Sequence, residues 1–289
     1  MFAVPAFRPP LPTPLAFLLA WLLSLSLGLG LCAPATATAT PTQPPAKTST
    51  HKTKAHTSKA KTKTAKSSRG KNAAVPGDSY QQRQEALQWA DEAAARLDLP
   101  ATWLRQHIAQ ARRIPLIEQL VLPSPKPSAK NWAAYRARFI EPRRIEAGLA
   151  FWQRHRETLA RAEATYGVPA SLVVGVLGVE TLYGQHMGQF RILDALATLA
   201  FDFPSAHPRA AERQTFFRGE LEQFLRLTHA AGTDPSSVRG SYAGAMGLPQ
   251  FMPSSWRHYA VDFDGDGRID LFNSPADAIG SVANYFRAF

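Results

Sequence analysis

The chain has 289 residues, 45% of them hydrophobic, and a formal net charge of +11 at pH 7. The excess charge is local, because eight Lys residues and Arg69 lie between Lys47 and Lys71, and no acidic residue precedes Asp78. The rest of the chain is close to neutral, which excludes a basic nucleic-acid-binding groove in the part that can fold.

Residues 1–35 have the layout of a secretory signal peptide. A nearly continuous apolar run from Leu15 to Leu31 follows Arg8, and small residues follow Cys32, as at a cleavage site. Cys32 is the only cysteine, so no intramolecular disulfide forms, and a lipoprotein signal is one alternative. An uncleaved anchor is another, because the apolar run approaches the length that spans a bilayer. All three interpretations predict export to the periplasm, the last two with membrane association.

Residues 36–78 are rich in Thr, Ala, Lys, Ser and Pro and contain almost no large apolar side chain. Such a segment buries too little surface to offset the entropy of ordering it, so we expect a disordered linker. The linker either acts as a solvated spacer or binds an anionic envelope polymer or lipid surface through its lysines. The second interpretation predicts that the attachment weakens as salt is added.

Residues 79–289 have helical periodicity and predict one mainly α-helical domain. Helices are expected over these stretches: Tyr80–Leu97, Pro142 to Gly167, Val168 to near Gly184, Phe216–Leu227, and Asp277 to the end. In the second of these, the apolar residues expected to point inward are Ile145, Leu149, Phe151, Trp152, Leu159 and Ala162. No long strand is expected, although short strands near an Asp-rich loop remain open.

Glu180 stands out because it lies near the end of an otherwise apolar helical stretch. In an apolar environment the pKa of a carboxyl rises, which suits a general acid that works near neutral pH. From the residues alone, the alternative is a structural role in which Glu180 caps a neighbouring backbone or pairs with Arg191.

Three long blocks resemble the membrane-bound lytic transglycosylase B family, in that family's order. They are Gly178–Pro204, which contains G-V-E-T, Gly240–Ser255, with G-S-Y-A-G-A-M-G and Q-F-M-P-S-S, and Asp262–Phe286, which contains D-F-D-G-D-G. The resemblance implies a lysozyme-like helical catalytic domain with an EF-hand-like loop. It also implies that Glu180 is catalytic, that peptidoglycan glycan strands are the substrate, and that no cofactor takes part in the chemistry.

The reaction that the resemblance implies cleaves the β-1,4 bond between N-acetylmuramic acid and N-acetylglucosamine and leaves 1,6-anhydromuramoyl ends. One carboxyl, Glu180, serves first as the acid and then as the base. A lysozyme-type hydrolase is an alternative that needs a second carboxylate, such as Asp194 or Asp202, whose apolar neighbours indicate a structural role. A non-catalytic peptidoglycan-binding protein is a further alternative, because the sequence ends at Phe289 where the family continues.

Four residues are expected to hold the substrate. Ser241 and Gln250 lie in a Gly-rich segment where polar side chains can bind sugar hydroxyl and acetamido groups. By themselves they indicate only a loop, and the resemblance favours sugar binding. Tyr135 and Tyr285 resemble two tyrosines of the family that contact the substrate, although each fits equally well as a core aromatic residue.

The segment D-F-D-G-D-G-R-I-D begins like an EF-hand loop. It offers three carboxylates, from Asp262, Asp264 and Asp266, and the carbonyl of Arg268. Asn273 stands where the usual bidentate Glu would be, so the standard loop is incomplete. The resemblance, which implies a lengthened loop, makes Asp277 the closing ligand. We therefore expect a structural Ca²⁺ here, with a solvated Asp-Gly turn as the alternative.

Overall fold

A computed structural model describes residues 77–123 and 131–289 of the protein. The predicted signal peptide and almost all of the predicted linker lie outside these residues. Within them the structure is mainly helical, which confirms the predicted fold class. The helices are α1 (Gln84–Leu97), α2 (Ala101–Gln110), α3 (Pro115–Leu120), α4 (Trp132–Ala137), α5 (Pro142–Arg154), α6 (Arg156–Tyr166), α7 (Ala170–Thr181), α8 (Ile192–Phe201), α9 (Ala210–Ala230), α10 (Pro253–Tyr259) and α11 (Pro275–Arg287).

Helix α8 is the centre of one half of the core, since all ten of its residues are buried. Helices α3 and α9 pack against it, and α1 and α2 form an adjacent pair. Polar contacts fix this arrangement: the Ile114 amide donates to Thr198 Oγ1 over 2.9 Å, and the Tyr80 hydroxyl donates to Asp202 over 2.6 Å. A short 3-10 helix, Tyr80–Gln82, precedes α1, so the helix predicted from Tyr80 begins at Gln84.

The helix predicted from Pro142 to Gly167 is two helices, α5 and α6, which meet at His155. Phe151, Leu159 and Ala162 are buried as expected. The expectation was wrong for three residues that are exposed, Ile145, Leu149 and Trp152. The apolar arc of α5 is wider than the face that α7 and α6 cover, and periodicity alone does not show how much of an arc finds a partner.

Helix α7 belongs to a second buried cluster, formed with residues of α5, α6 and α11. Its composition is nearly all apolar, yet Leu172 is 41% exposed while Val173 and Leu177 are fully buried. The helix therefore keeps one open side although its sequence shows almost no amphipathic pattern.

Two short strands, β1 (Phe190–Arg191) and β2 (Arg239–Gly240), pair antiparallel with Phe190 opposite Gly240. Both strands lie outside the Asp-rich loop in the sequence, near which the sequence leaves short strands open. Their pairing brings the segment that follows α7 next to the Gly-rich segment that begins at Gly240.

Among the described helices, none is by itself long and apolar enough to cross a membrane. Helices α6 and α7 together have sufficient length and apolar composition, but their axes bend by 116° between them.

Candidate active site

Glu180 lies in the last turn of α7 and keeps part of its side chain exposed to solvent. Within the described residues, no hydrogen-bond donor or cation pairs with its carboxyl group. Arg191, the alternative partner, instead contacts Asp194 over 3.4 Å and donates to the Ser236 carbonyl over 3.2 Å. Burial raises the pKa of Glu180 from 4.5 to about 7, so the group keeps its proton up to near neutral pH.

The chain leaves α7 through a strained turn. Leu182 and Tyr183 both have left-handed backbone angles, with φ of 50° and 56°, which residues with a Cβ seldom adopt. The Tyr183 ring stacks on Phe151 at 5.0 Å, and its hydroxyl fills space that a Cβ on Gly148 or Gly178 would occupy. The close packing of Tyr183 thus stabilises a strained turn that starts two residues after Glu180. Strained backbone angles are common near functional residues.

The Gly-rich segment is fixed to the end of α7 by direct hydrogen bonds. Thr181 Oγ1 donates to the Leu248 carbonyl over 2.8 Å and accepts from the Gly184 amide over 3.0 Å. Gln250 Nε2 donates to the Met187 and Gly247 carbonyls over 3.2 and 3.0 Å. Glu180 and Gln250 therefore lie in segments that are bound to one another.

Gln250 and Ser241, the two predicted substrate-binding residues of this segment, differ in how much hydrogen-bonding capacity their side chains keep. Gln250 has a left-handed backbone, with φ of 51°, and its amide oxygen has no partner among the described residues. Ser241 is 8% exposed, and its hydroxyl oxygen accepts from the Ala245 amide over 2.9 Å. That contact uses a lone pair and leaves the hydroxyl proton able to donate.

Tyr135 and Tyr285 occupy different environments. Tyr135 is half-buried in α4, where its ring stacks on Trp132 at 5.6 Å. Tyr285 is 8% exposed in α11 and contacts several aromatic rings, and burial raises the pKa of its hydroxyl to about 12. These rings are Phe251, Tyr259, Phe286 and Phe289. Tyr285 is therefore a mostly buried residue that contacts the Gly-rich segment through Phe251.

Asp194 and Asp202 both bind residues of the N-terminal part of the domain. Asp194 is 2% exposed and accepts from the Arg112 amide over 3.0 Å. Asp202 accepts from Tyr80 and also pairs with Arg83 over 3.0 Å. These contacts agree with the structural role expected for both carboxylates.

The Asp-rich loop brings three carboxylates together. Oxygen atoms of Asp262, Asp264 and Asp266 lie within 4.8 Å of one another, and all three residues are accessible to solvent. Hard oxygen donors at this spacing are the ligands that Ca²⁺ prefers. Asp277, the expected closing ligand, is 1% exposed, and its two oxygens accept from the amides of Phe263 and Asp270, both over 2.8 Å.

Comparison with known families gives a match to the transglycosylase SLT domain over residues 81–289. The chain belongs to the SLT transglycosylase family. This confirms the family suggested by the motifs around Glu180 and Gln250, and it accounts for almost all of the described residues.

Individual members of the SLT transglycosylase family show how far the likeness extends. The membrane-bound lytic murein transglycosylase B of Escherichia coli K12 is 42% identical over 225 residues, which are 75% of this chain and 60% of that protein. A lytic transglycosylase of Escherichia coli solved in complex with calcium is also 42% identical, with a TM-score of 0.65 over 75% of this chain and 67% of that one. SltB3 of Pseudomonas aeruginosa, in complex with NAG-anhNAM-pentapeptide, is 32% identical, with a TM-score of 0.62 over 73% of this chain and 53% of that one. The chain thus spans about 60% of the length of the curated relative.

Three residues near Glu180 make contacts that the sequence did not predict. Arg144 donates from Nε to the Gly178 carbonyl over 3.0 Å, in the last turn of α7. Thr181 and Tyr183 lie inside the G-V-E-T-L-Y-G block, but neither had been assigned a role. Their contacts join residues far apart in the chain, so no local spacing could have revealed them.

Proposed function

We propose that this protein is a lytic transglycosylase of peptidoglycan, with Glu180 as its single catalytic acid and base. The observation that carries the proposal is the environment of Glu180, where burial raises the pKa to about 7 and no described cation stabilises the ionised form. A carboxyl in this state can donate a proton near neutral pH, and its conjugate base is strong enough to take one back.

In the proposed reaction, Glu180 donates its proton to the glycosidic oxygen between N-acetylmuramic acid and N-acetylglucosamine. The bond from C1 to that oxygen breaks, and the acetamido group of the muramoyl residue stabilises the positive charge at C1. The Glu180 carboxylate then accepts the proton of the C6 hydroxyl as O6 bonds to C1. The 1,6-anhydro ring closes, the carboxyl is protonated again, and no water is consumed.

A hydrolase would use a second carboxylate to activate water or attack the sugar. The two candidates from the sequence, Asp194 and Asp202, are both held by hydrogen-bond donors from residues 80–112. Their engagement favours the single-carboxylate reaction over the lysozyme-type alternative.

We assign Gln250 and Ser241 to the binding of sugar hydroxyl and acetamido groups. Gln250 supports this role best, because two backbone carbonyls orient its amide nitrogen and leave the amide oxygen able to accept. Tyr135 is assigned to the contact with the reacting sugar. Tyr285 is assigned to substrate binding because of its resemblance to a groove tyrosine of the family.

We also propose a structural Ca²⁺ bound by Asp262, Asp264 and Asp266, with the Arg268 carbonyl and Asp277 completing the site. The three clustered carboxylates support it, as does the calcium complex of the E. coli relative. The ion would neutralise the carboxylates and hold the loop that precedes α11, and it would take no part in the chemistry.

Export to the periplasm follows from the proposed signal peptide and agrees with a substrate that lies in the cell envelope. The Lys-rich linker is proposed to bind an anionic envelope surface.

The decisive experiment is mass spectrometry of the products released from purified peptidoglycan by the parent chain and by Glu180→Gln. We expect 1,6-anhydromuropeptides from the parent and none from the variant, with Glu146→Gln, an exposed carboxylate of α5, as the active control. Equal release by parent and Glu180→Gln would contradict the assignment of Glu180. Reducing ends that incorporate ¹⁸O from labelled water would identify a hydrolase, and binding without any release would identify a non-catalytic binding protein.

A further inference from the structure

Arg144 connects two parts of the site that are separate in sequence. Its Nε donates to the Gly178 carbonyl over 3.0 Å, two residues before Glu180. Its Nη1 donates to the Arg138 carbonyl over 2.7 Å, directly after α4. One rigid guanidinium therefore holds the last turn of α7 and the end of the helix that carries Tyr135 at a fixed separation.

Ring contacts extend this connection to Tyr135. The Arg144 guanidinium lies over the Phe139 ring at 5.4 Å, and the Phe139 ring contacts that of Tyr135 at 5.1 Å. Helix α4 has six residues, and none of them is buried. Short helices without a buried face depend on tertiary contacts for their order.

Arg144 does not act as an electrostatic partner of Glu180. Burial alone raises the pKa of Glu180, and the nearby group that responds to the Arg144 charge is Tyr183, whose pKa it lowers against the effect of burial. Loss of Arg144 should therefore change the placement of groups around Glu180 and leave its proton affinity largely unchanged.

We propose that Arg144 is a positioning residue that sets the distance between Tyr135 and Glu180. The inference rests on the proposed function, because it assumes that both residues contact the same sugar. A displacement of about 1 Å between reacting groups can reduce a rate by roughly 100-fold, so the effect should fall on turnover.

The first test measures turnover of soluble glycan strands by Arg144→Met, with Arg154→Met, an exposed arginine of the same helix, as the control. We expect kcat to fall about 10- to 100-fold and KM to change less than about threefold. The alkaline limb of the pH profile, which the loss of the Glu180 proton sets, should stay in place. The kcat of Arg144→Lys should lie between those of the parent and Arg144→Met, because an ammonium on a flexible stem cannot hold both carbonyls in one plane. Unchanged kcat in Arg144→Met, measured on folded protein, would overturn the proposal.

A double-mutant cycle with Tyr135→Phe tests the route of the effect. If Arg144 acts by placing Tyr135, the double variant should lose less than the product of the two single losses, by about threefold or more. Strict multiplication of the two losses would show that Arg144 acts independently of Tyr135 and would reject the coupling.

Amide hydrogen exchange tests whether Arg144 holds α4 in place, and it does not depend on catalytic activity. Arg144→Met should speed exchange in residues 132–140, whereas Arg154→Met should not. If the parent chain proves inactive, the proposed function fails on that result alone, and unchanged exchange in residues 132–140 would separately overturn the role of Arg144.

Discussion

Replacing Glu180 with Gln should make the protein more stable above neutral pH while removing its activity. The folded environment raises the pKa of Glu180 from 4.5 to about 7 by withdrawing water from the charged form. A folded protein that binds a proton more tightly than its unfolded chain loses stability as pH rises between these two values. Gln has nearly the same shape and no charge, so the variant does not lose stability in this way.

The size of the effect follows from the shift. Raising the pKa from 4.5 to about 7 costs the folded state about 3 kcal/mol at pH 8, as an upper bound. For a domain of about 200 residues, removing this cost raises Tm by roughly 6–12 °C. Below about pH 4 both the folded and unfolded chains hold the proton, and the advantage of Gln should vanish.

The measurement is urea denaturation of the parent and Glu180→Gln at pH 4 and pH 8, with Glu146→Gln as the exposed control. We expect a gain in the free energy of unfolding only for Glu180→Gln and only at pH 8. An equal gain at both pH values would assign it to packing instead of charge. No gain at pH 8 would show that Glu180 is well solvated when ionised, and the argument for a raised pKa would fail.

Two further predictions concern the surroundings of the site. Gly178→Ala should lower the free energy of unfolding by about 2 kcal/mol, because its Cβ would overlap the Tyr183 hydroxyl. Gly175→Ala, in the same helix with open space around it, should raise that free energy by up to about 1 kcal/mol. Urea denaturation compares the two, and equal effects would contradict the close packing of Tyr183. Ca²⁺ at 100 times its Kd should stabilise the parent by about 2.7 kcal/mol in thermal denaturation, and Asp264→Asn should reduce this gain while Asp78→Asn leaves it. An equal response in all three proteins would reject the loop as the Ca²⁺ site.

The predictions that succeeded depend on local patterns. Helical periodicity marked α1, α7, α9 and α11, with errors of up to six residues at their ends, because apolar spacing records the face that a helix buries. The separation of α5 from α6 at His155 was missed, since both helices continue one apolar pattern. The exposure of Leu149 and Ile145 was missed for a related reason, because the pattern shows which side can be buried and not whether a partner covers it.

The sequence by itself singled out Glu180, as a carboxyl in an apolar stretch, and the Asp-rich loop, as a cluster of carboxylates, whereas the Gly-rich segment was singled out by its resemblance to the family. Only the tertiary structure showed that Arg144 holds α7 to α4, that Tyr183 packs against Gly148 and Gly178, and that Arg191 is not the partner of Glu180. The physical reason is that proton affinity depends on the water and charges around a group. Those are set by contacts between residues that lie tens of positions apart in the chain.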